Sequence, residues 1–144
     1  MAECYRHTQR GTLMIVVLVI GALAVAAATL PAPGGARWIG LPIALILAVT
    51  AWLFSSLTVI VSDNDLQWYF GPGAWKYRMA RADIAGVNLV RNSVLNGFGI
   101  RMRPGFRLYN VSGLDAVELH LKSGEIRRIG TNDARGLAGV LRGE

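Results

Sequence analysis

Hydrophobic and polar positions change rhythm once along this chain, near Ser56. Before that point, two stretches, Gly11–Ala36 and Trp38–Ser62, contain no Asp, Glu, Lys or Arg, and they are separated by a Pro- and Gly-rich break ending at Arg37. A hydrocarbon core about 30 Å thick takes roughly 20 apolar residues of helix, and each stretch holds such a run. The pattern predicts a two-helix transmembrane hairpin over 12–56, with helices at about 12–30 and 38–56, preceded by an N-terminal flank, 1–11. Pro42 falls where an early helical turn accepts it. Gly40, Ala44 and Ala48, with Ala22 and Ala26, form small-residue stripes suited to close packing of the two helices within one chain.

After Ser56 the apolar runs shorten and become rich in Val, Ile, Tyr, Phe and Trp, with turn residues between them. Leu57–Val61 and Leu66–Phe70 flank the polar turn Ser62–Asp65, and Gly71-Pro72-Gly73 leads into a third strand, Trp75–Met79. Ile84–Val90, Phe98–Arg103 and Phe106–Val111 follow. Pro104-Gly105 suits a type II turn, which would splay its two strands instead of closing a tight hairpin. Ala116–Leu121 alternates strictly, with Val117, Leu119 and Leu121 on one face and Glu118 and His120 on the other. Ser123-Gly124 turns the chain into Glu125–Ile129. Thr131 or Asn132 can cap a last helix, where Ala134, Leu137, Ala138 and Leu141 make one apolar stripe. Gly136 and Gly139 weaken that helix, so it must be held against the sheet.

Composition sharpens this division. The chain has 144 residues, 53% of them hydrophobic, and the 88 residues of 57–144 suffice for one compact core. Cys4 has no partner cysteine for an internal disulfide, and no Cys/His cluster suggests zinc. The net charge is +6, with 12 Lys or Arg against 8 acids in 57–144. Anionic headgroups explain so mild an excess as well as nucleic acid does, so no nucleic-acid partner is expected. Arg6 and Arg10 before the first helix, against a single arginine in the connecting loop, place both termini in the cytoplasm. Basic residues before an apolar run also begin secretory signals, and Ala26-Ala27-Ala28 offers small residues for cleavage. The run exceeds the usual length of a signal core, which favours an uncleaved helix.

About seven strands followed by one helix match a pleckstrin-homology-like antiparallel barrel plugged by its C-terminal helix. In Gly97–Arg101, Leu108–Gly113, Ala116–Leu119 and Ile129–Asp133 the chain resembles small bacterial membrane proteins with two N-terminal spans and a C-terminal bacterial pleckstrin-homology-like domain. Phe98 stands where that family would have Trp, and Ala134 where it would have Pro. The resemblance covers the second half of the domain at 57–144 and implies a multi-pass protein of the bacterial inner membrane, with no functional residue to carry over.

Candidate chemistry is sparse. Asp63-Asn64-Asp65 lacks the Gly and terminal Glu of a calcium loop and reads as a turn. Gly97-Phe98-Gly99 lacks the third Gly of a dinucleotide loop and reads as a bulge or bend. His7 and His120 have no second ligand or nucleophile at a recognisable spacing, and both read as solvated. No catalytic set, metal site or cofactor is expected. An enzyme would require a folded pocket lined by two or more of Asp83, Asp115, Glu118, His120 and Asp133. Arg101, Arg103 and Arg107 around Pro104-Gly105 are the candidate anion- or partner-binding residues, able to hold phosphate or carboxylate through forked hydrogen bonds, or else to keep an edge strand soluble. Lys76, Arg78 and Arg81 form a looser group of the same kind. The sequence therefore favours a noncatalytic membrane-tethered module for protein interaction, with the lipid bilayer and another membrane or membrane-associated protein as partners. Anionic-headgroup binding by the three arginines is the alternative.

Overall fold

A computed structural model of the chain describes residues 3–96 and 98–144. The first element is a strand. β1 (Glu3–Arg10) pairs antiparallel with β2 (Ser56–Ser62), from Glu3 opposite Ser62 to Arg10 opposite Ser56. Between these two strands the chain makes α1 (Thr12–Thr29) and α2 (Ala36–Leu53). The segment read from sequence as a flank is thus part of the folded domain, and the hairpin is an insertion in its first sheet. Eight residues with Arg, His, Gln and Thr among them give no apolar run, so nothing local announces a strand. What makes it one is period two: Tyr5, His7 and Gln9 turn inward while Arg6, Thr8 and Arg10 are exposed.

α1 and α2 pack antiparallel as the sequence predicts, with small differences. α2 starts and ends earlier than expected, which leaves Pro42 inside the helix, in its second turn. Gly40 is buried against Thr29, with no space for a Cβ. The less exposed positions of α2 run Gly40, Ala44, Leu47, Ala51, a four-three-four spacing, and Ala48 faces outward. That spacing is the seam of a left-handed helix pair, not a strict four-residue stripe. Both helices are long and apolar enough to cross a membrane, yet only 6% and 11% of their residues are buried. Leu23, Leu45 and Ile46 are each more than 60% exposed. Such helices are not the core of this fold.

The remaining strands are β3 (Asp65–Phe70), β4 (Lys76–Ala80), β5 (Ile84–Arg91), β6 (Gly99–Arg103), β7 (Phe106–Asn110), β8 (Asp115–Leu121) and β9 (Ile126–Gly130), followed by α3 (Ala134–Arg142). They form two open sheets, ordered β1-β2-β3-β4 and β5-β8-β9-β7-β6. The expected closed barrel is therefore a two-sheet arrangement with nine strands among the described residues, all antiparallel except the β7–β9 pair. β6 and β7 close a tight hairpin, Arg103 opposite Phe106, correcting the expected splay. Gly105 at φ +72° supplies the left-handed residue that the two-residue loop needs. Gly97, the first residue of the bend expected before β6, lies outside the described residues.

Inward-facing side chains of both sheets meet in one core. Trp68, Phe70, Tyr109, Leu119 and Ile129 have no exposed surface. Trp68 meets Tyr109 edge-on at 5.2 Å and stacks on Tyr77 at 5.6 Å, the offset geometries that aromatic quadrupoles favour. α3 lays Leu137 and Ala138 into this core. Its N-cap is Asp133, one or two residues later than expected, which accepts a hydrogen bond from the Gly136 amide at 3.1 Å.

β1 is bound to the far side of the domain by its inward residues. The Tyr5 hydroxyl donates to Asp133 at 2.9 Å, His7 bonds Asn132 at 2.6 Å, and Gln9 donates to the Ser112 carbonyl at 2.6 Å. We expect Tyr5→Phe to cost about 1 kcal/mol, one hydrogen bond, and Tyr5→Ala about 2–4 kcal/mol because packing goes too. Thermal unfolding of the full chain in detergent checks this. Equal melting of all three proteins would show that β1 is undocked.

Candidate functional site

The three arginines around the β6–β7 hairpin are not one cluster. Arg101 and Arg103 lie opposite Leu108 and Phe106, whereas Arg107 lies opposite Met102. Directly opposed residues share a face and neighbours along a strand alternate, so Arg101 and Arg103 project to the outside of the sheet and Arg107 to the inside. Arg107 lies beside Arg127 of β9 in the parallel register, and its charge acts on the Tyr77 phenol. Arg101 and Arg103 remain an exposed pair on an edge strand. A forked grip by all three on a single anion does not form.

The outer face of this sheet holds a polar network that the spacing of its residues had not suggested. Arg128 in β9 stands opposite Glu118 in β8 and donates to Glu118 Oε2 through Nε, at 3.1 Å, and through Nη2. Its Nη1 donates to Asn92 Oδ1 at 2.9 Å, and its guanidinium lies 5.2 Å from the Phe106 ring centre. His120, two residues along the same face, bonds Glu118 Oε1 at 2.9 Å. So His120 is not simply solvated. Only strand register brings these residues together, because Glu118 and Arg128 belong to adjacent antiparallel strands and Asn92 arrives from the β5–β6 connection. The network ties that connection down where it passes Arg128. Burial raises the Glu118 carboxyl, but hydrogen bonds from Arg128 and His120, with their charges, outweigh it and leave the group below its ordinary value of 4.5.

The second group separates as well. Lys76 and Arg78 face outward from β4, with Arg78 paired to Asp65. Arg81 turns away and donates to the carbonyls of Ser62, at 3.2 Å, and Val140, at 2.7 Å, fastening the end of α3 to the first sheet.

A cavity of about 480 Å³ lies between the free edge of β5 and the start of α3. Leu89, Arg91, Asp115, Asp133 and Arg135 are among its lining residues. Two of the five acids and histidines named as an enzyme's requirement, Asp115 and Asp133, therefore share a cavity. Both Asp133 oxygens are occupied, Oδ1 by the Gly136 amide and Oδ2 by Tyr5. Asp115 sits exposed opposite Arg91 on the neighbouring strand. Asp115 is thus an exposed carboxylate in a cavity that Arg91 and Arg135 also line. Among the described residues, no group of three His, Cys, Asp or Glu could hold a metal ion. A smaller cavity of about 250 Å³ continues along β5, bordered by Ile84, Val87, Leu141 and Arg142. Between them Arg142 donates to the Val87 carbonyl through Nη2 at 2.8 Å and Nε at 3.3 Å.

No protein-family model matches this chain, and no curated protein matches it either.

The network makes a signed prediction. Glu118 has a lowered folded-state pKa, so its contribution is present above the unfolded value near 4.5 and is lost as pH falls through the folded value. Glu118→Gln should therefore lower stability at pH 7 and flatten the dependence of stability on pH below about 4.5. Urea titrations at several pH values measure both, and parallel acid limbs in the two proteins would rule the network out.

Proposed function

We propose that this chain is a noncatalytic membrane-tethered interaction module. Its hairpin crosses a bilayer twice, and its two-sheet domain, of pleckstrin-homology-like type, presents the β5–α3 groove to an extended segment of another protein at the cytoplasmic face of a bacterial inner membrane. The exposed apolar surface of α1 and α2 supports the tether, since water is a poor solvent for Leu23, Leu45 and Ile46. Charge supports the orientation. Arg6, Arg10 and Lys76 stand at or near the base of the hairpin, against Arg37 alone in its connecting loop. Lys76 is 23 positions past the end of α2, but the fold returns it to that base, because Tyr69 pairs with it and Gly71 rests on the Leu53 carbonyl.

The observation that carries the interaction reading is the free edge of β5 with cavities on either side of Val87. An open strand edge offers unpaired backbone donors and acceptors, and pockets beside it select side chains. Arg142 occupies the Val87 carbonyl, leaving the stretch around Leu89, itself 46% exposed, as the accessible part. Arg91 and Arg135 flank it, which favours a segment carrying carboxylates. The exposed pair Arg101 and Arg103 gives anionic-headgroup binding less support, because Arg107 faces the other way.

A photo-reactive residue at Leu89, in native membranes, should give one discrete crosslinked product. That product should vanish when Arg91 and Arg135 are both changed to Glu, with thermal stability kept within about 0.5 kcal/mol because both side chains are exposed. The same probe at Met102, more exposed at 62% but on the opposite edge, should not give it. Identical products from both positions, or products indifferent to the charge reversal, would count against the groove.

A further inference from the structure

The rim of the first sheet that meets the helices bears a second pattern, independent of the groove. Arg10 ends β1 two residues before α1, and the Gly11 amide bonds the Ser55 carbonyl at 2.8 Å, so β1 leaves the hairpin beside the start of β2. Lys76 begins β4 at the same end, opposite Tyr69. Arg10 and Lys76 lie on the outward face, both are exposed, and neither forms an ion pair among the described residues. The acids on that face are engaged elsewhere, Glu3 with Arg6 and Asp65 with Arg78.

At the same end of the hairpin, Trp52 is 61% and Trp75 43% exposed, and Phe54 packs between the helix end and Trp75 at 5.7 Å. At the opposite end of the hairpin, Arg37 lies 5.6 Å from the Trp38 ring. The eighteen residues of α2 rise about 27 Å, close to the thickness of a hydrocarbon core, with Arg37 and Trp38 in its first turn and Trp52 in its last. Each end of the hairpin thus has at least one indole ring and a cation, the pair that settles at the headgroup level.

Resting on the spanning reading above, we infer that Arg10 and Lys76, with Trp52 and Trp75, form a rim that binds anionic phospholipid headgroups in the leaflet on the domain's side. Geometry selects the ligand. Arg10 and Lys76 are on the first and fourth strands of a sheet whose neighbours lie about 4.8 Å apart, so roughly 14 Å separates them. One phosphate cannot bridge that distance, and a layer of headgroups can satisfy both cations at once. A bound lipid surface would also fix the tilt of the sheet against the membrane, with β5 and α3 in the sheet-and-helix layer on its other face.

The test uses the full chain reconstituted in phosphatidylcholine vesicles, alone and with phosphatidylglycerol mixed in. Alkaline washing first asks whether the chain stays with the vesicles, and native mass spectrometry of the re-extracted protein then counts bound lipid. Phosphatidylglycerol should be enriched over its share of the mixture, and Arg10→Gln and Lys76→Gln should each reduce that enrichment about fivefold. Arg101→Gln with Arg103→Gln should leave it unchanged, and inorganic phosphate should not compete. Release by alkaline washing would overturn both this inference and the spanning reading. Retention with no enrichment, enrichment indifferent to Arg10 and Lys76, or competition by phosphate would overturn the headgroup rim alone.

Discussion

The pairing of β1 with β2 is the constraint on which the other features depend. Two strands 45 residues apart at their nearest ends are adjacent in the sheet because a helical hairpin brings the chain back to its starting level. Without β1, β2 would be an edge, and the inward row of Leu57, Val59 and Val61 would lose its neighbours Gln9, His7 and Tyr5. Those same three side chains bond Ser112, Asn132 and Asp133, which join the second sheet and the start of α3 to the first. The N-terminal strand is therefore the piece that links both sheets and the last helix. Removal of the N-terminal segment by cleavage near Ala26–Ala28 is incompatible with this arrangement, because β1 would leave with it.

The same pairing fixes how the domain is mounted. At the junction Gly11 sits so close that a Cβ there would lie 2.5 Å from the Phe54 carbonyl oxygen and 3.1 Å from the Val111 Cβ. Gly71 packs on the Leu53 carbonyl with φ +46°, a conformation L side chains rarely adopt. Two glycines thus allow the second sheet and the β3–β4 loop to close on the helix ends. The domain is held by two strands and these contacts, not by a single flexible linker, so any surface it displays keeps a defined orientation to the helices. That rigidity suits the proposed role of presenting a groove at a set height and tilt.

Elements with strong local signals were legible in the sequence. The hairpin, eight of the nine strands and the final helix fall close to their expected positions because hydrophobic period and turn residues mark them. β1 was not legible: its inward residues are Tyr5, His7 and Gln9, and two of these three are polar. Their partners lie more than 100 positions away. The Glu118–Arg128–Asn92 network was hidden for the same reason, as register and not spacing assembles it. The three arginines near Pro104-Gly105 misled in the opposite direction, since proximity in sequence is divided by the pleat between two faces. Closure of a barrel was also beyond reach, because strand count does not determine which edges pair. In the structure β1, β4, β5 and β6 all remain edges, so neither sheet closes on itself or joins the other.

If β1 and β2 pair across the inserted hairpin, Thr8 and Thr58 face each other with their hydroxyls 2.9 Å apart. The direct measurement is disulfide formation in the full chain carrying Thr8→Cys and Thr58→Cys, with Cys4→Ser to remove the native thiol. Mild oxidation should close the bond within one chain, whereas Thr8→Cys paired with Gln67→Cys, two strands away, should stay open. Failure of the first pair to close, or equal closure of both, would contradict a hairpin inserted within a single sheet.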